Sequence, residues 1–119
     1  MDFVQPSDIN KNLFILPGGT VPPNPTELLG SKKFDDILHD LKRIFDYIIL
    51  DATPINGLSD ALVLTKNANE VVIVCKYGKT DLGDLEECKK ALLNADAKIA
   101  GVVINSMPKT KNKYGYYTE

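Results

Sequence analysis

Residues 47–51 read Tyr-Ile-Ile-Leu-Asp, an unbroken apolar and aromatic run that ends in a carboxylate. A strand with one face in water alternates apolar and polar side chains. A continuous apolar run predicts a strand buried on both faces, as in a parallel sheet. Val71-Val-Ile-Val-Cys75 and Ile99-Ala-Gly-Val-Val-Ile104 repeat the pattern downstream. Between the runs the spacing turns helical. Ser59 can cap a helix through Leu62 and Leu64 to Lys66. Thr80 or Asp81 can cap the next, with Leu82, Leu85, Leu92 and Leu93 facing inward. Upstream, Leu13 to Leu16 is a short apolar run closed by Pro17, Gly18 and Gly19, which suits a short strand. Asn24 followed by Pro25 reads as a cap with proline at the first helical position, and Gly30 can end that helix. Ser31 can cap a further helix, on which Phe34, Ile37, Leu38, Leu41, Ile44 and Phe45 make one apolar face. The order of elements predicts an α/β fold. It is a partial doubly wound, mostly parallel sheet of about four strands with flanking helices, joined by right-handed crossovers. Residues 1–105 form this unit, and residues 106–119, with little to bury, form a flexible tail.

The composition narrows the function classes. The 119 residues carry 14 Lys and Arg against 16 Asp and Glu, a net charge of −2. That balance gives no electrostatic case for binding nucleic acid or an anionic membrane in bulk. The longest apolar runs fall far short of the roughly 18 residues a membrane helix needs. The first ten residues lack the basic start and apolar stretch of a signal peptide. Cys75 and Cys88 lie in stretches that read as buried, so they are expected to be free thiols in a reducing cytoplasm. They have neither metal-ligand spacing nor a partner histidine. His39, the single histidine, falls on the polar side of its helix and reads as a solvated residue.

In open parallel sheets, ligands bind beyond the carboxyl ends of the strands. The polar residues at those ends are Asp51 with Thr53, then Lys76, then Asn105. An aspartate directly after an apolar strand fits a Walker B carboxylate, which holds Mg²⁺, directly or through water, beside a nucleoside triphosphate. A helix-capping or loop aspartate fits the same local pattern. The usual phosphate cradle, G-x-x-x-x-G-K-[ST], is absent. Gly18 and Gly19 are followed by neither a lysine nor a helix start. Gly78-Lys79-Thr80 imitates the end of the motif, but Ile73 stands where its first glycine belongs. The tail holds Tyr114, Tyr116 and Tyr117 within four residues, preceded by Lys109, Lys111 and Lys113. Aromatic hydroxyls on such a segment are accessible to a modifying enzyme, and the tyrosines are candidate phosphoacceptors.

Together these segments resemble a known family. NLFILPGGTVPPNPTELLGS (residues 12–31) is similar to the proline segment of the bacterial tyrosine kinases (BY-kinases) of capsule and exopolysaccharide synthesis. FDYIILDATPINGLSDA (residues 45–61) resembles that family's Walker B segment, with Asp60 as its second aspartate. GVVINSM and KYGYYTE resemble a later strand and the start of the C-terminal tyrosine cluster. The resemblance covers nearly the whole chain and corresponds to the C-terminal half of such a kinase domain. It implies a P-loop NTPase-like sheet of the partitioning-ATPase type. It implies transfer of the ATP γ-phosphate to tyrosine, with Mg²⁺ and ATP as cofactors of the complete kinase. Asp51 becomes the catalytic and metal-site residue, and Asn105 a base-contacting one. Tyr114, Tyr116 and Tyr117 become acceptors served by a neighbouring subunit. The implied partners are other kinase subunits, a transmembrane activator of polysaccharide chain-length control and a tyrosine phosphatase, at the inner face of the cell membrane. The family's Walker A loop and its deviant aspartate motif, both of which lie upstream of the proline segment, have no match here, and Ala52-Thr53-Pro54 replaces its paired prolines. The chain alone is therefore expected not to be a competent kinase. Two other readings remain open. One is a two-component receiver phosphorylated on Asp51, although its acidic pair and its lysine are missing. The other is a non-catalytic module of the partitioning-ATPase fold.

Overall fold

The structure, a computed structural model, describes residues 3–20, 22–55 and 59–108. The tail tyrosines and Lys109, Lys111 and Lys113 lie outside the described residues. Two short strands, β1 (Gln5–Pro6) and β2 (Phe14–Ile15), pair antiparallel. Helices α1 (Pro25–Leu29), α2 (Lys32–Lys42) and α3 (Ser59–Leu64) follow, and a 3₁₀ turn (Thr65–Asn67) extends α3. The chain then runs through β3 (Val71–Lys76), α4 (Leu82–Asn94) and β4 (Ile99–Asn105). This is an α/β arrangement whose parallel part is the pair β3–β4, in register from Val72 opposite Gly101 to Lys76 opposite Asn105.

The β3–α4–β4 unit carries the core. Strand alternation sends Ile73 and Cys75 to one face, where Leu92 and Ala97 meet them. Leu92 is 0% exposed and is the one large side chain fully buried among the described residues. Ile55, Leu62, Leu85 and Cys88 pack around this cluster. Asp81 caps α4, its carboxylate accepting the Gly83 N–H at 2.8 Å. Thr80 closes the preceding turn instead. Its hydroxyl accepts the Lys76 N–H at 2.9 Å, and the turn passes through Gly78, which takes φ +67°. The two cysteines are free. Cys88 sits half-buried, and desolvation, then the nearby Cys75, pushes its thiol above the ordinary range.

Several expectations change. The expected sheet of about four strands is not formed among the described residues. Residues 47–50 belong to no helix and no ladder, and Tyr47 and Ile49 are 91% and 89% exposed. The composition is that of a central strand, but no neighbouring strand offers it hydrogen bonds, and an apolar pattern alone cannot supply one. Asn24 does not cap α1 with its side chain; its amide donates to the Glu27 carboxylate at 3.3 Å instead. Ser31 does cap α2, accepting the Phe34 N–H at 3.3 Å. That helix ends at Lys42, short of Ile44 and Phe45, and only Leu38 and Leu41 on it are buried. Leu82 and Leu93 point outward, 78% and 53% exposed, because α4 meets two strands and not a full sheet.

With so small a core, one side chain weighs heavily. Leu92→Ala removes the only fully buried large side chain among the described residues and should cost about 2–5 kcal/mol, the range for buried leucine truncation. Urea denaturation followed by circular dichroism measures it. A cost below about 1 kcal/mol would mean that the core collapses freely around the void.

Candidate functional site

The strand ends define the site. Lys76 closes β3 and Asn105 closes β4, and the register places them side by side. The Tyr77 N–H donates to the Asn105 carbonyl at 2.9 Å, so the two strands leave the sheet together. The Asn105 side-chain oxygen accepts the Ser106 N–H at 2.6 Å, and Ser106 takes φ +60°. Among the described residues no hydrogen bond engages the Asn105 NH₂ group. Lys76 and Asn105 are both exposed.

Asp51 ends the apolar run and is exposed, as is Thr53. Among the described residues no hydrogen bond or ion pair engages its carboxylate. Asp51 is thus neither a helix cap nor a member of a structural ion pair there. The run that bears it is fixed at both ends. On its N-terminal side the Phe45 ring packs on Phe14 of β2, centroids 5.3 Å apart and planes tilted by 52°. On its C-terminal side Ile55 packs against the β3–α4 core. Farther on, α3 is tied to α1 by a hydrogen bond from the Thr26 hydroxyl to the half-buried Asp60 carboxylate. The sequence marks Asp60 as a motif residue but gives no sign of its partner. Thr26 lies 34 residues earlier, and nothing in its local pattern signals the contact.

The residues present do not by themselves fit Mg²⁺ and ATP. No group of three or more His, Cys, Asp or Glu among the described residues is placed to hold a metal ion. The N-terminus of α4, which follows the Gly78 turn, is already filled by the Asp81 carboxylate, which would repel a phosphate. Gly18 and Gly19 lie in an exposed stretch with no helix start directly after them. The structure thus separates the expected features. Lys76 and Asn105 come together, and Asp51 is exposed between packed flanks. No phosphate cradle joins them among the described residues. His39 is exposed beside Asp40, as its polar position predicts.

Comparison with known proteins gives these residues a context. No protein-family model matches the chain. It is 38% identical over 107 residues to the tyrosine-protein kinase CpsD of Streptococcus pneumoniae, covering 90% of this chain and 47% of that protein. It is 36% identical over 108 residues to the tyrosine-protein kinase YwqD of Bacillus subtilis, covering 90% and 46%. Its fold matches the crystal structure of the chimerical protein CapA2B2 with a TM-score of 0.84 and 31% identity, over 91% of this chain and 47% of that one. It also matches the VpsO kinase domain, with a TM-score of 0.81 and 31% identity over 90% and 52%. The chain spans about half the length of the relatives it matches. These relatives are named as tyrosine kinases, not as two-component receivers. By sequence and by fold, this chain is similar to bacterial tyrosine-protein kinases over about half of their length.

Proposed function

We propose that this chain is the Walker B and acceptor-tail portion of a bacterial protein-tyrosine kinase. The complete enzyme moves the ATP γ-phosphate to tyrosine and regulates capsular or exopolysaccharide synthesis and export. The observation that carries the reading is the exposed carboxylate of Asp51, which has no hydrogen bond or ion pair among the described residues and ends an apolar run in a chain similar to kinase relatives over nine-tenths of its length. A carboxylate kept in water without a partner contributes little to folding. Its use is to meet something from outside, and a hydrated divalent cation is the natural ligand for a single hard oxygen donor. Asn105, beside Lys76 in the strand register and exposed, is the residue proposed to contact the nucleobase. Mg²⁺ and ATP belong to the complete kinase, whose phosphate loop is not among these residues.

Residues 1–105 serve as the catalytic-domain portion and residues 106–119 as the acceptor tail, with Tyr114, Tyr116 and Tyr117 as phosphoacceptors. No helix among the described residues is long and apolar enough to cross a membrane. In this reading the chain works at the inner face of the cell membrane through a transmembrane activator, with other kinase subunits and a tyrosine phosphatase as its further partners.

Three outcomes are expected. Titration calorimetry of this chain with Mg-ATP should show no heat of binding at micromolar concentrations, because the backbone amides that cradle phosphates are missing. Clear micromolar affinity would reveal a phosphate loop made from other residues. In a complete kinase carrying this segment, Asp51→Asn should lower autophosphorylation by more than about 100-fold, beyond what residues that merely support a metal ligand cost. Its melting temperature should stay within a few degrees of the parent's. Activity retained with stability lost would make Asp51 a structural residue. Finally, an active homologue mixed with this chain and ATP should phosphorylate Tyr114, Tyr116 and Tyr117 in trans. Each phosphate adds about −1.5 to −2 charges beside Lys109, Lys111 and Lys113. Mass spectrometry maps the sites, and phosphate confined to Tyr47 or Tyr77 would remove the acceptor role of the tail.

A further inference from the structure

Two stretches far apart in the sequence meet twice. The Phe14 ring of β2 packs on Phe45, and the Thr26 hydroxyl of α1 donates to the Asp60 carboxylate in the first turn of α3. Asp51 lies between Phe45 and Asp60 in the chain. Both clamps on its stretch therefore come from one upstream segment. They differ in kind. The ring pair is apolar and tolerates sliding, since tilted rings attract over a range of separations. The hydrogen bond is directional and sets one oxygen against one hydroxyl.

The second clamp weighs more because the helices it joins are short. α1 has 5 residues and α3 has 6, well below the roughly 12–15 at which a helix holds itself in water. α1 also lacks a side-chain cap at Asn24. Each helix depends on its contacts for its place, and α3 makes them on two sides. Asp60 meets Thr26, Ala61 is buried, and Leu62 packs against the same β3–α4 core that Ile55 touches. Val63 lies at the end of α1, where a Cβ on Gly30 would be 3.6 Å from its Cγ1. α3 is thus a strut between α1 and the core, with the half-buried Asp60 carboxylate at its α1 end. A carboxylate partly out of water that loses its donor is drawn back toward solvent, and a helix this short moves with it. We propose that Thr26 is a positioning residue for Asp51. Through Asp60 it seats α3, so that Leu62 holds its place in the cluster it shares with Ile55, and Ile55 sets the course of Asp51-Ala52-Thr53-Pro54. Thr26 acts at a distance in this role. What the Asp51 carboxylate then meets rests on the kinase reading given above.

The test compares Thr26→Val, which keeps the shape and removes the hydroxyl, with Thr26→Ser, which keeps the hydroxyl. In this chain, NMR of the backbone amides should show Ala52, Thr53 and Ile55 shifted by Thr26→Val and close to their parent positions in Thr26→Ser. The amides of β3 and β4 should stay in place in both, which separates a moved Asp51 stretch from a lost fold. In a complete kinase carrying this segment, Thr26→Val should lower kcat for autophosphorylation about 10- to 100-fold with the KM for ATP unchanged, the range for residues that support a ligand-bearing side chain. Asp60→Ala should do the same, and the double variant should be no worse than the larger single one, because the same bond is lost in each. Thr26→Ser should restore most of kcat. Amide shifts confined to the neighbours of Thr26 and Asp60 would overturn the inference. So would a kinase in which Thr26→Val leaves kcat untouched while Asp51→Asn abolishes it. Shifts at Ala52 and Thr53, together with a kinase indifferent to Asp51→Asn, would leave the positioning standing and count against the proposed function instead.

Discussion

The parallel ladder between β3 and β4, roofed on one side by Leu92, is the constraint on which the rest of the structure depends. Parallel strands cannot be joined by a tight turn, so α4 must cross over between them and in doing so supplies the cover for one face. The flanking segments attach to this unit. Ile55 and Leu62 reach it from the segment around Asp51 and from α3. Lys76 and Asn105 are neighbours because the register makes them so. If the ladder slipped by one residue, Ile73 and Cys75 would exchange places with Val72 and Val74, and the strand ends would lose their alignment.

The same constraint explains why Asp51 is fixed without being buried. A carboxylate inside a core would be neutralised or paired. Here the fixing is done by its neighbours: the Phe14–Phe45 ring pair on one side, Ile55 and the Thr26–Asp60 hydrogen bond on the other. The aspartate itself is exposed, with no hydrogen bond or ion pair among the described residues, and in the proposed reading it meets a ligand from outside.

Much of this is legible in the residues. The runs at 71–75 and 99–104 become β3 and β4, since consecutive apolar β-branched residues have few other stable uses. Asp81 and Ser31 cap the helices they precede, because their side-chain oxygens reach the free N–H groups whatever the tertiary context. The run at 47–50 is legible as a strand in composition but not in pairing, because pairing depends on a neighbour the run does not encode. Leu82 and Leu93 mislead for a related reason: periodicity gives the apolar face of a helix, not the width of the surface that faces it. Of the site, Asp51, Lys76 and Asn105 can be read from their positions at strand ends. The Thr26–Asp60 contact cannot, since it joins α1 to α3 across 34 residues. Asn24 illustrates the limit of cap signals, its amide being drawn to Glu27 and away from the helix backbone.

The central claim is that the Asp51-bearing run is strand-like in sequence yet unpaired in this chain, held ready by its flanks. Amide hydrogen exchange of the chain alone, read residue by residue by NMR, tests it most directly. Slow exchange is expected for the amides that pair β3 with β4, and exchange near the unprotected rate for Ile48, Ile49, Leu50 and Asp51. Protection of those four amides comparable to that of β3 would show the run already paired within a sheet and would contradict the claim.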